Sequence, residues 1–334
     1  MKIMITGANG SIGRAAARAL RHNGHKVFCL AGSLDERSHF EEQGFDAVDG
    51  DFTDPASLGR AVRGFDAVVS AASILPSSHD AERLSRERAA VHAMLAAMEG
   101  SGRTFLLASD SAVFGVFSGG VATRTVYQET DRLPLRRETY APASSVHPTI
   151  AQTFGSAVNI RVETEEDVLG ARGVRGIVVR PGLIYGYAAS YELPYLIAVA
   201  RQRGAVPQFG HGGARQGYVH IDDLGTLFAS AVTNAPGGAL LHGVTDDVSM
   251  SEIARAVAEL LGIGVDQLTL EEMVETLGSV GISLSLNKRV ASDATRQLTG
   301  WRPGRKDLLR DIVNGSYAPR LVPTLDRRDF RIRD

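Results

Sequence analysis

Three glycines near the start of the chain lie at intervals of three residues: Gly7, Gly10 and Gly13. Glycine lets a backbone turn tightly and approach a phosphate that a side chain would hold away. Where a helix begins at such a loop, its free N–H groups and the positive end of its dipole face that phosphate. The spacing therefore predicts a site for the pyrophosphate of a dinucleotide, and the predicted site also includes Asn9, Ser11 and Ile12.

The residues around these glycines have the pattern of a strand followed by a helix. Residues 3–5 are a short apolar run that is typical of a buried strand, and residues 14–22 are a helix-forming run. Strand, glycine loop and helix are the context that a dinucleotide-binding motif requires. The alternative is an ordinary strand–turn–helix in which the glycines are incidental.

Strand and helix patterns continue to alternate through the first half of the chain. Apolar runs predict further strands at residues 27–30, 45–48, 66–70, 104–108 and 173–180. This alternation predicts an α/β fold with a Rossmann-type doubly wound parallel sheet, in which ligands bind at the carboxyl ends of the strands. We assign residues 1–180 to a dinucleotide-binding domain and residues 181–334 to a smaller, mixed α/β substrate-binding region that is interleaved with it.

Residues 116–158 interrupt this alternation. They contain three prolines (Pro134, Pro142 and Pro148), several charges and little periodicity. A long irregular segment inside a compact domain is usually either a functional lid or a disordered loop, and the sequence leaves both open.

The composition is ordinary for a soluble globular protein, with 44% hydrophobic residues, 22% charged residues and a formal net charge of −2. This balance argues against nucleic acid or an anionic membrane as a partner. The single cysteine, Cys29, excludes an internal disulfide. No stretch has the pattern of a signal peptide or of a membrane-spanning helix, so we expect a cytoplasmic protein.

Three stretches together resemble the short-chain dehydrogenase/reductase superfamily, especially its extended and atypical epimerase/dehydratase-like branches. They are the glycine loop at residues 6–13, a stretch similar to V-H-V-D-D at residues 219–223 and a G-W-x-P ending at residues 300–303. The resemblance spans nearly the whole chain. It implies a nicotinamide cofactor, a small-molecule substrate and, as is common in that superfamily, a homodimer.

An acidic residue at the end of the second strand usually marks a preference for NAD. Here Ala31 or Gly32 occupies that position and leaves room for a 2′-phosphate, so the sequence predicts NADP in preference to NAD. Ser33, Arg37 and Arg14 could neutralise that phosphate. The alternative is that both arginines are ordinary surface charges.

The resemblance implies further cofactor contacts. It assigns Asp51 to the adenine, and it places Pro181 and Ile184 in a segment whose backbone contacts the nicotinamide carboxamide. The full set of predicted cofactor-binding residues is Gly7, Asn9, Gly10, Ser11, Ile12, Gly13, Ser33, Arg37, Asp51, Phe52, Ala71, Ala72, Ser109, Arg161, Pro181 and Ile184.

The acid/base pair of that superfamily, Tyr-x-x-x-Lys, is absent from this chain. Matching Glu165 to the E-x-x-x-L run of the superfamily puts Ala157 at the tyrosine and Arg161 at the lysine. Arg161 could bind the nicotinamide ribose, but a guanidinium stays protonated and cannot act as a base. An ion pair with Glu165, one helical turn away, is the alternative role for Arg161.

A proton donor must therefore come from elsewhere in the chain. Ser109 and Ser111 lie in a stretch similar to the S-x-S/T…V-Y-G pattern of extended members, with Asp110 between them. The predicted catalytic residues are Ser111, Tyr140 and Arg161, and the predicted substrate contacts are Ser111, Tyr140 and Tyr185. Further candidates for the proton donor are Asp110, Tyr127 and His147.

Other chemistries find little support. The nine histidines lack metal-ligand spacing, so no metal site is predicted, and no G-x-S-x-G motif indicates a serine hydrolase. Asp222 and Asp223 are expected to cap and anchor a helix. By the resemblance, sugar-nucleotide epimerases carry an arginine where this chain has Gln216, with Arg215 one residue away, which argues against a nucleotide sugar.

The sequence thus predicts an NAD(P)-dependent oxidoreductase or epimerase that acts on a small carbonyl or hydroxyl compound. Two alternatives keep the fold and drop the redox reaction. One is a protein that binds NADP(H) but catalyses an isomerisation, cyclisation or elimination, and the other is a non-enzymatic dinucleotide-binding module.

Overall fold

The structure, a computed structural model, describes residues 1–72, 81–131, 133, 148–189, 191–305 and 307–317, and for residues 148–153 it describes the backbone alone. The elements follow in the order β1 (Lys2–Thr6), α1 (Ser11–His22), β2 (Lys26–Ala31), α2 (Leu34–Glu42), β3 (Asp46–Asp49), α3 (Pro55–Ala61), β4 (Ala67–Ser70), α4 (Ala81–Met98), β5 (Thr104–Ala108), α5 (Pro148–Leu169), β6 (Arg175–Pro181), β7 (Leu183–Tyr185), α6 (Glu192–Arg203), β8 (Ala205–Phe209), β9 (Arg215–His220), α7 (Ile221–Asn234), β10 (Ala239–Gly243), β11 (Asp246–Ser249), α8 (Met250–Leu261), β12 (Gly264–Leu268), α9 (Leu270–Leu277), α10 (Ser279–Ser285), α11 (Asp293–Thr299) and α12 (Leu308–Asn314). A short 3-10 turn, Ser111–Phe114, follows β5.

Seven parallel strands form the main sheet, in the order β10-β6-β5-β4-β1-β2-β3. The prediction of a Rossmann-type parallel sheet is therefore confirmed. The strand order reverses between β1 and β4, and in such sheets the crevice at this reversal is where ligands bind. The glycine loop lies at that point, because it connects β1 to α1.

Helices cover both faces of this sheet. Alternate residues of a strand point to opposite faces, so Ile3 and Ile5 pack in the core that contains α1 and α7, whereas Met4 packs in the core that contains α3 and α4. Burial on both faces explains why these strands are continuous apolar runs.

The second half of the chain contributes to more than one sheet. β10 is the edge strand of the main sheet, and α7 packs against α1. A three-stranded sheet, β11-β9-β7, and a two-stranded sheet, β12-β8, lie outside it. Segments from beyond residue 180 thus help to build the layer that holds the glycine loop.

The two aspartates of the V-H-V-D-D-like stretch do not cap α7 as expected. His220 is the N-cap, and its Nδ1 accepts the N–H of Asp222 at 3.2 Å. Asp223 is buried, and its carboxylate accepts the N–H groups of Gly304 and Arg305, each at 2.8 Å. A carboxylate of α7 therefore anchors the end of the chain that carries the G-W-x-P residues.

The irregular segment expected over residues 116–158 is shorter than predicted. α5 begins at Pro148, since proline suits the first turn of a helix, where its missing N–H would have no partner. Before it, Val116 and Tyr127 each form a single bridge, to Asn287 and Val290. The predicted residues Tyr140 and His147 lie outside the described residues. Within the described ranges, no helix is both long enough and apolar enough to cross a membrane.

Candidate functional site

Two cavities meet at the carboxyl edge of the main sheet. The first, which we call the loop cavity, has a volume of about 660 Å³ and lies between the glycine loop, the end of β2 and the residues after β3. The second, the main cavity, has a volume of about 830 Å³ and extends from the same loop past the ends of β5 and β6 to the start of α6. Residues 9–12 and 71–72 line both cavities, so one elongated ligand can occupy the two together.

The three glycines of the loop have different roles. Gly7 has a φ of +70°, and a Cβ there would lie 2.4 Å from the Cα of Ala72. A Cβ on Gly13 would lie 2.3 Å from the carbonyl oxygen of Gly7. A Cβ on Gly10, the N-cap of α1, would meet only that carbonyl oxygen, at 3.3 Å. Packing therefore requires Gly7 and Gly13, whereas Gly10 leaves open the side of the loop that a phosphate would approach.

The loop cavity contains a carboxylate that was not predicted. Glu36, in α2, accepts the side-chain N–H of Asn9 at 2.7 Å and the backbone N–H of Gly32 at 2.8 Å. It thus lies beside the residues that end β2, where the sequence indicated room for a phosphate. The pattern Ser33-x-x-Glu36, typical of a helix N-terminus, could have indicated that Glu36 turns back toward β2.

The cations expected to neutralise a 2′-phosphate lie elsewhere. Arg37 donates to Asp49 and also pairs with Glu41, and it does not line the loop cavity. Ser33 lines this cavity, where its hydroxyl caps α2 by accepting the N–H of Glu36. Among the described residues that line this cavity, none carries a positive charge. Arg14, the third residue expected to contact that phosphate, donates to the carbonyl oxygen of Asn9 at 2.9 Å and lines the main cavity. The loop cavity thus gives no support to the predicted preference for NADP.

Most other predicted cofactor residues do meet at the cavities. Asp51 and Phe52 line the loop cavity, and the N–H and hydroxyl of Thr53 lower the pKa of the Asp51 carboxyl, which keeps it anionic. The residues that line the main cavity include Asn9, Gly10, Ser11, Ile12, Ala71, Ala72, Ser109, Arg161, Pro181 and Ile184.

Arg161 lines the main cavity, and Glu165, the partner in its alternative role, is engaged elsewhere. Glu165 is buried and accepts from Nε of Arg180 at 3.0 and 3.1 Å and from Nη2 at 2.5 Å. The hydroxyl of Ser109 also donates to Glu165. Across the described residues, no carboxylate forms an ion pair with Arg161. Its guanidinium is thus available to a ligand, at the position where the superfamily carries its lysine.

Two residues predicted to contact the substrate do not line the main cavity. Ser111 is 1% exposed, within the 3-10 turn. Tyr185 is also buried, where its hydroxyl donates to Asp246 at 3.1 Å, and burial raises the pKa of this phenol. The residues found at the cavity instead are Asp110, Tyr187 and Tyr191. The turn places Asp110, and not Ser111, at the cavity. Asp110 is the N-cap of the 3-10 turn and accepts the N–H of Ala112, whereas Ser111 lies inside the turn.

Two further charged residues that the sequence did not indicate lie at or near the main cavity. Glu192 begins α6 and lines the cavity. Lys288 is 1% exposed, and its ammonium group donates to the hydroxyl of Ser283 at 3.3 Å. The negative charges of Asp110 and Glu192 both act on this ammonium group. No local pattern could have found Lys288, because its sequence separation from Asp110 is large.

The arginine position of the sugar-nucleotide enzymes is occupied by a buried amide. Gln216 donates to the carbonyl oxygen of Ser283 at 2.9 Å. Its neighbour Arg215 pairs with Asp247 and Glu252, at 3.2 Å in each case. Neither side chain lines the main cavity. Within the described ranges, no group of three or more His, Cys, Asp or Glu residues is arranged to hold a metal ion.

Comparisons with known proteins agree with this fold. A family model described as the NAD dependent epimerase/dehydratase family matches residues 3–240. An uncharacterized protein of Schizosaccharomyces pombe is 26% identical over 319 residues, which cover 95% of this chain and 100% of that protein. The 2-alkyl-3-oxoalkanoate reductase of Stenotrophomonas maltophilia is 27% identical over 252 residues, which cover 72% of this chain and 68% of that protein.

Solved structures show the same architecture at low sequence identity. A nucleoside-diphosphate-sugar epimerase from Pseudomonas aeruginosa has a TM-score of 0.67 at 18% identity and covers 96% of this chain and 97% of its own. The UDP-glucose 4-epimerase of Thermus thermophilus, solved in complex with NAD, has a TM-score of 0.62 at 19% identity and covers 96% of this chain and 100% of its own. At these identities the likeness concerns the fold.

Proposed function

The chain belongs to the NAD dependent epimerase/dehydratase family, and from this premise we propose that it binds NAD and catalyses hydride transfer to or from a small carbonyl or hydroxyl compound. The observation that carries the proposal is the continuity of the two cavities. The glycine loop that joins them leads on one side to Asp51 and on the other to Arg161 and Ile184. Two joined cavities with these residues in this order suit an extended dinucleotide.

The residues present fit that cofactor. Gly10 leaves open the side of the loop that a Cβ would fill, and the N–H groups at the start of α1 would hold the pyrophosphate. Asp51 and Phe52 would hold the adenosine, and Arg161 the nicotinamide ribose. When bound, the nicotinamide supplies or accepts a hydride. The protein's own residues orient the substrate, exclude water and move the accompanying proton.

We expect NADH to bind more tightly than NADPH by about tenfold or more, which corresponds to about 1.4 kcal/mol. The reason is that a 2′-phosphate in the loop cavity would meet the carboxylates of Glu36 and Asp51. Fluorescence titration of the purified protein with each reduced cofactor measures the ratio. Glu36→Ser should reduce it, whereas Glu42→Ser, at an exposed residue of the same helix, should not. Tighter binding of NADPH by the wild-type protein would contradict this assignment.

We propose a small ketone or alcohol, and not a nucleotide sugar, as the substrate. The support is that Gln216 is buried and Arg215 is paired, so neither is placed to bind a diphosphate. The reductase from Stenotrophomonas maltophilia, named for 2-alkyl-3-oxoalkanoates, points the same way. The test follows NADH absorbance with ethyl 3-oxobutanoate and related ketones, and in parallel follows interconversion of UDP-glucose and UDP-galactose. Activity on the sugar nucleotides alone would overturn this choice.

One observation favours a non-redox alternative. Ala157, at the tyrosine position, is 2% exposed and brings no phenol to the cavity. A protein that binds NAD without oxidising its substrate would need no phenol there. Incubation of the same ketones with the cofactor-loaded protein separates the two candidates, because only a reductase converts NADH to NAD as product forms.

A further inference from the structure

We infer that Glu192 takes up and returns the substrate's proton in place of the missing tyrosine, with Asp110 as a second carboxylate in the same cavity and Lys288 as a buried positive charge near both. This inference rests on the proposed hydride-transfer function and names the groups that act in the same site. Each of the three residues comes from a different part of the chain.

The two carboxylates share the cavity with the groups expected near the nicotinamide. Glu192 enters it from the first turn of α6, and Asp110 enters it from the turn after β5. Both residues are partly buried. Arg161, Pro181 and Ile184 line the same cavity. A substrate that lies against these three residues therefore has carboxylates within the same enclosed space.

Lys288 is held firmly in place by its backbone. Its N–H donates to the carbonyl oxygen of Arg215 at 2.9 Å, and its carbonyl oxygen accepts the N–H of Gly217 at 3.0 Å, so the segment after α10 is bonded to β9. A buried ammonium group is costly unless opposite charges compensate it. Burial lowers the pKa of Lys288, and the negative charges of Asp110 and Glu192 act against that decrease. Lys288 does not line the main cavity, and it acts on the substrate through the two carboxylates as a positioning residue.

The balance of charge indicates how this cluster behaves. Within this cluster, two carboxylates and one ammonium group leave one excess negative charge, and uptake of one proton removes that excess. The other charged residues that line the same cavity are Arg14, Arg18, Glu87, Arg161 and Asp222. Tyr218, on β9, is a further titratable group that interacts with Glu192, and burial together with the charge of Glu192 raises the pKa of this phenol, so it stays neutral. A cluster that holds one exchangeable proton is suited to general acid and base catalysis.

The direction of the pKa shift supports Glu192 as the residue that holds this proton. Burial raises the pKa of Glu192 above its ordinary value, the charge of Lys288 acts against this increase, and the charge of Asp110 adds to it. A glutamate with a raised pKa can donate a proton near neutral pH and accept one again. Arg161, which lines the same cavity, cannot do so.

The substrate's proton and hydride leave by separate routes. When an alcohol is oxidised, its O–H bond breaks, and the proton goes to the carboxylate of Glu192, which later releases it to water. The C–H bond breaks with both electrons, which leave as a hydride to the oxidised cofactor, so a C=O bond forms. When a ketone is reduced, protonated Glu192 gives its proton to the oxygen as the carbon receives the hydride.

Proton release on cofactor binding tests this inference without a known substrate. The oxidised nicotinamide ring carries a positive charge and favours ionised Glu192, whereas the reduced ring is neutral. By linkage, binding of NAD should expel a fraction of a proton, and binding of NADH should not. Calorimetric titration in two buffers with different ionisation enthalpies measures this release.

Substitutions identify the residue from which the released proton comes. Glu192→Gln, which preserves the side-chain shape, should abolish the release while NADH still binds, and Glu259→Gln, at an exposed residue of α8, should leave it unchanged. The pH at which release is greatest should move down in Asp110→Asn and up in Lys288→Met, because these charges act on Glu192 in opposite directions. Lys288→Arg, which keeps the charge, should restore the midpoint. On any ketone that the wild-type protein reduces, Glu192→Gln should lower kcat by about 10²–10⁴-fold.

The outcomes separate this inference from the proposed function. If the wild-type protein binds neither NAD nor NADH, the proposed function fails. If both bind and proton release is absent, or is the same in Glu192→Gln, the inference is overturned and the proposed function stands. Circular dichroism of each variant identifies a loss of fold, and the test then depends on Asp110→Asn and Glu192→Gln, which change cavity-lining side chains with little change in shape.

Discussion

Gly10→Val should fold normally and bind NADH about 100-fold or more weakly than the wild-type protein, a loss of about 2.7 kcal/mol. Gly10 has a φ of −76° and a ψ of 163°, an extended conformation that valine adopts readily. A Cβ at this position meets only the carbonyl oxygen of Gly7, so the fold can accept it with a small adjustment. The added methyl groups would instead fill the space that a pyrophosphate needs.

Two other glycines, Gly13 of the same loop and Gly264 outside it, make this result specific. A Cβ on Gly13 would overlap the carbonyl oxygen of Gly7, so Gly13→Ala is expected to lower stability as well as binding. Gly264→Val, at the start of the strand β12 where nothing lies within 4 Å, provides a matched control. Circular dichroism and NADH fluorescence measure the two effects separately. If Gly10→Val binds NADH like the wild-type protein, the pyrophosphate does not lie against this loop.

Arg180→Met should lower the free energy of unfolding by about 3–5 kcal/mol. The side chains of Arg180 and Glu165 are 5% and 2% exposed, and their pair is bidentate. Removal of the guanidinium would leave the carboxylate of Glu165 buried without a charge partner. Urea unfolding followed by circular dichroism measures the loss.

Two further variants separate this effect from a general effect of losing an arginine. Arg86→Met removes an exposed partner of Glu82 on α4 and should cost only about 0.5 kcal/mol or less. The double variant Arg180→Met/Glu165→Met should recover much of the lost stability, because an apolar pair replaces the buried ion pair. A loss below about 1 kcal/mol for Arg180→Met alone would show that water reaches this pair and that it is not truly buried.

The same pair also bears on the site. The hydroxyl of Ser109 donates to Glu165, which places the end of β5, and hence Asp110, against α5. Arg161 lies one turn earlier on the same helix. We therefore expect Arg180→Met to weaken NADH binding as well, even though Arg180 does not line the main cavity.

Much of the main sheet could be predicted because its signals are local. The strands β1, β4 and β5 are short, largely apolar runs that are buried on both faces, and this pattern does not depend on distant residues. The strands β8 and β12 were not predicted, because Pro207 interrupts the first and the adjacent polar residues Asp266 and Gln267 interrupt the second. The start of α5 was missed because proline has two opposite meanings in a sequence. It breaks a helix when it lies in the interior, but it is favourable in the first turn, where Pro148 lies.

The candidate site was predicted unevenly for the same reason. The glycine loop follows from residues next to a strand end, whereas Asp51, Pro181 and Ile184 were assigned through the family resemblance. The structure brings all of them to the cavities. The prediction ranked Ser111 above Asp110, because the sequence pattern does not show which side chain of a 3-10 turn lies at the cavity. Whether Tyr140 takes part stays a prediction, since it lies outside the described residues.

The sequence by itself determined the parallel sheet, the phosphate loop and the absence of the usual tyrosine and lysine, because each depends on residues close together in the chain. Only the tertiary structure decided which charges meet. Glu165 lies four residues from Arg161, yet it pairs with Arg180 from β6, and this leaves Arg161 to the cavity. Lys288 acts on Asp110 although they are far apart in the chain. Charges pair according to burial and distance in space, and sequence spacing reveals neither once the chain crosses between layers.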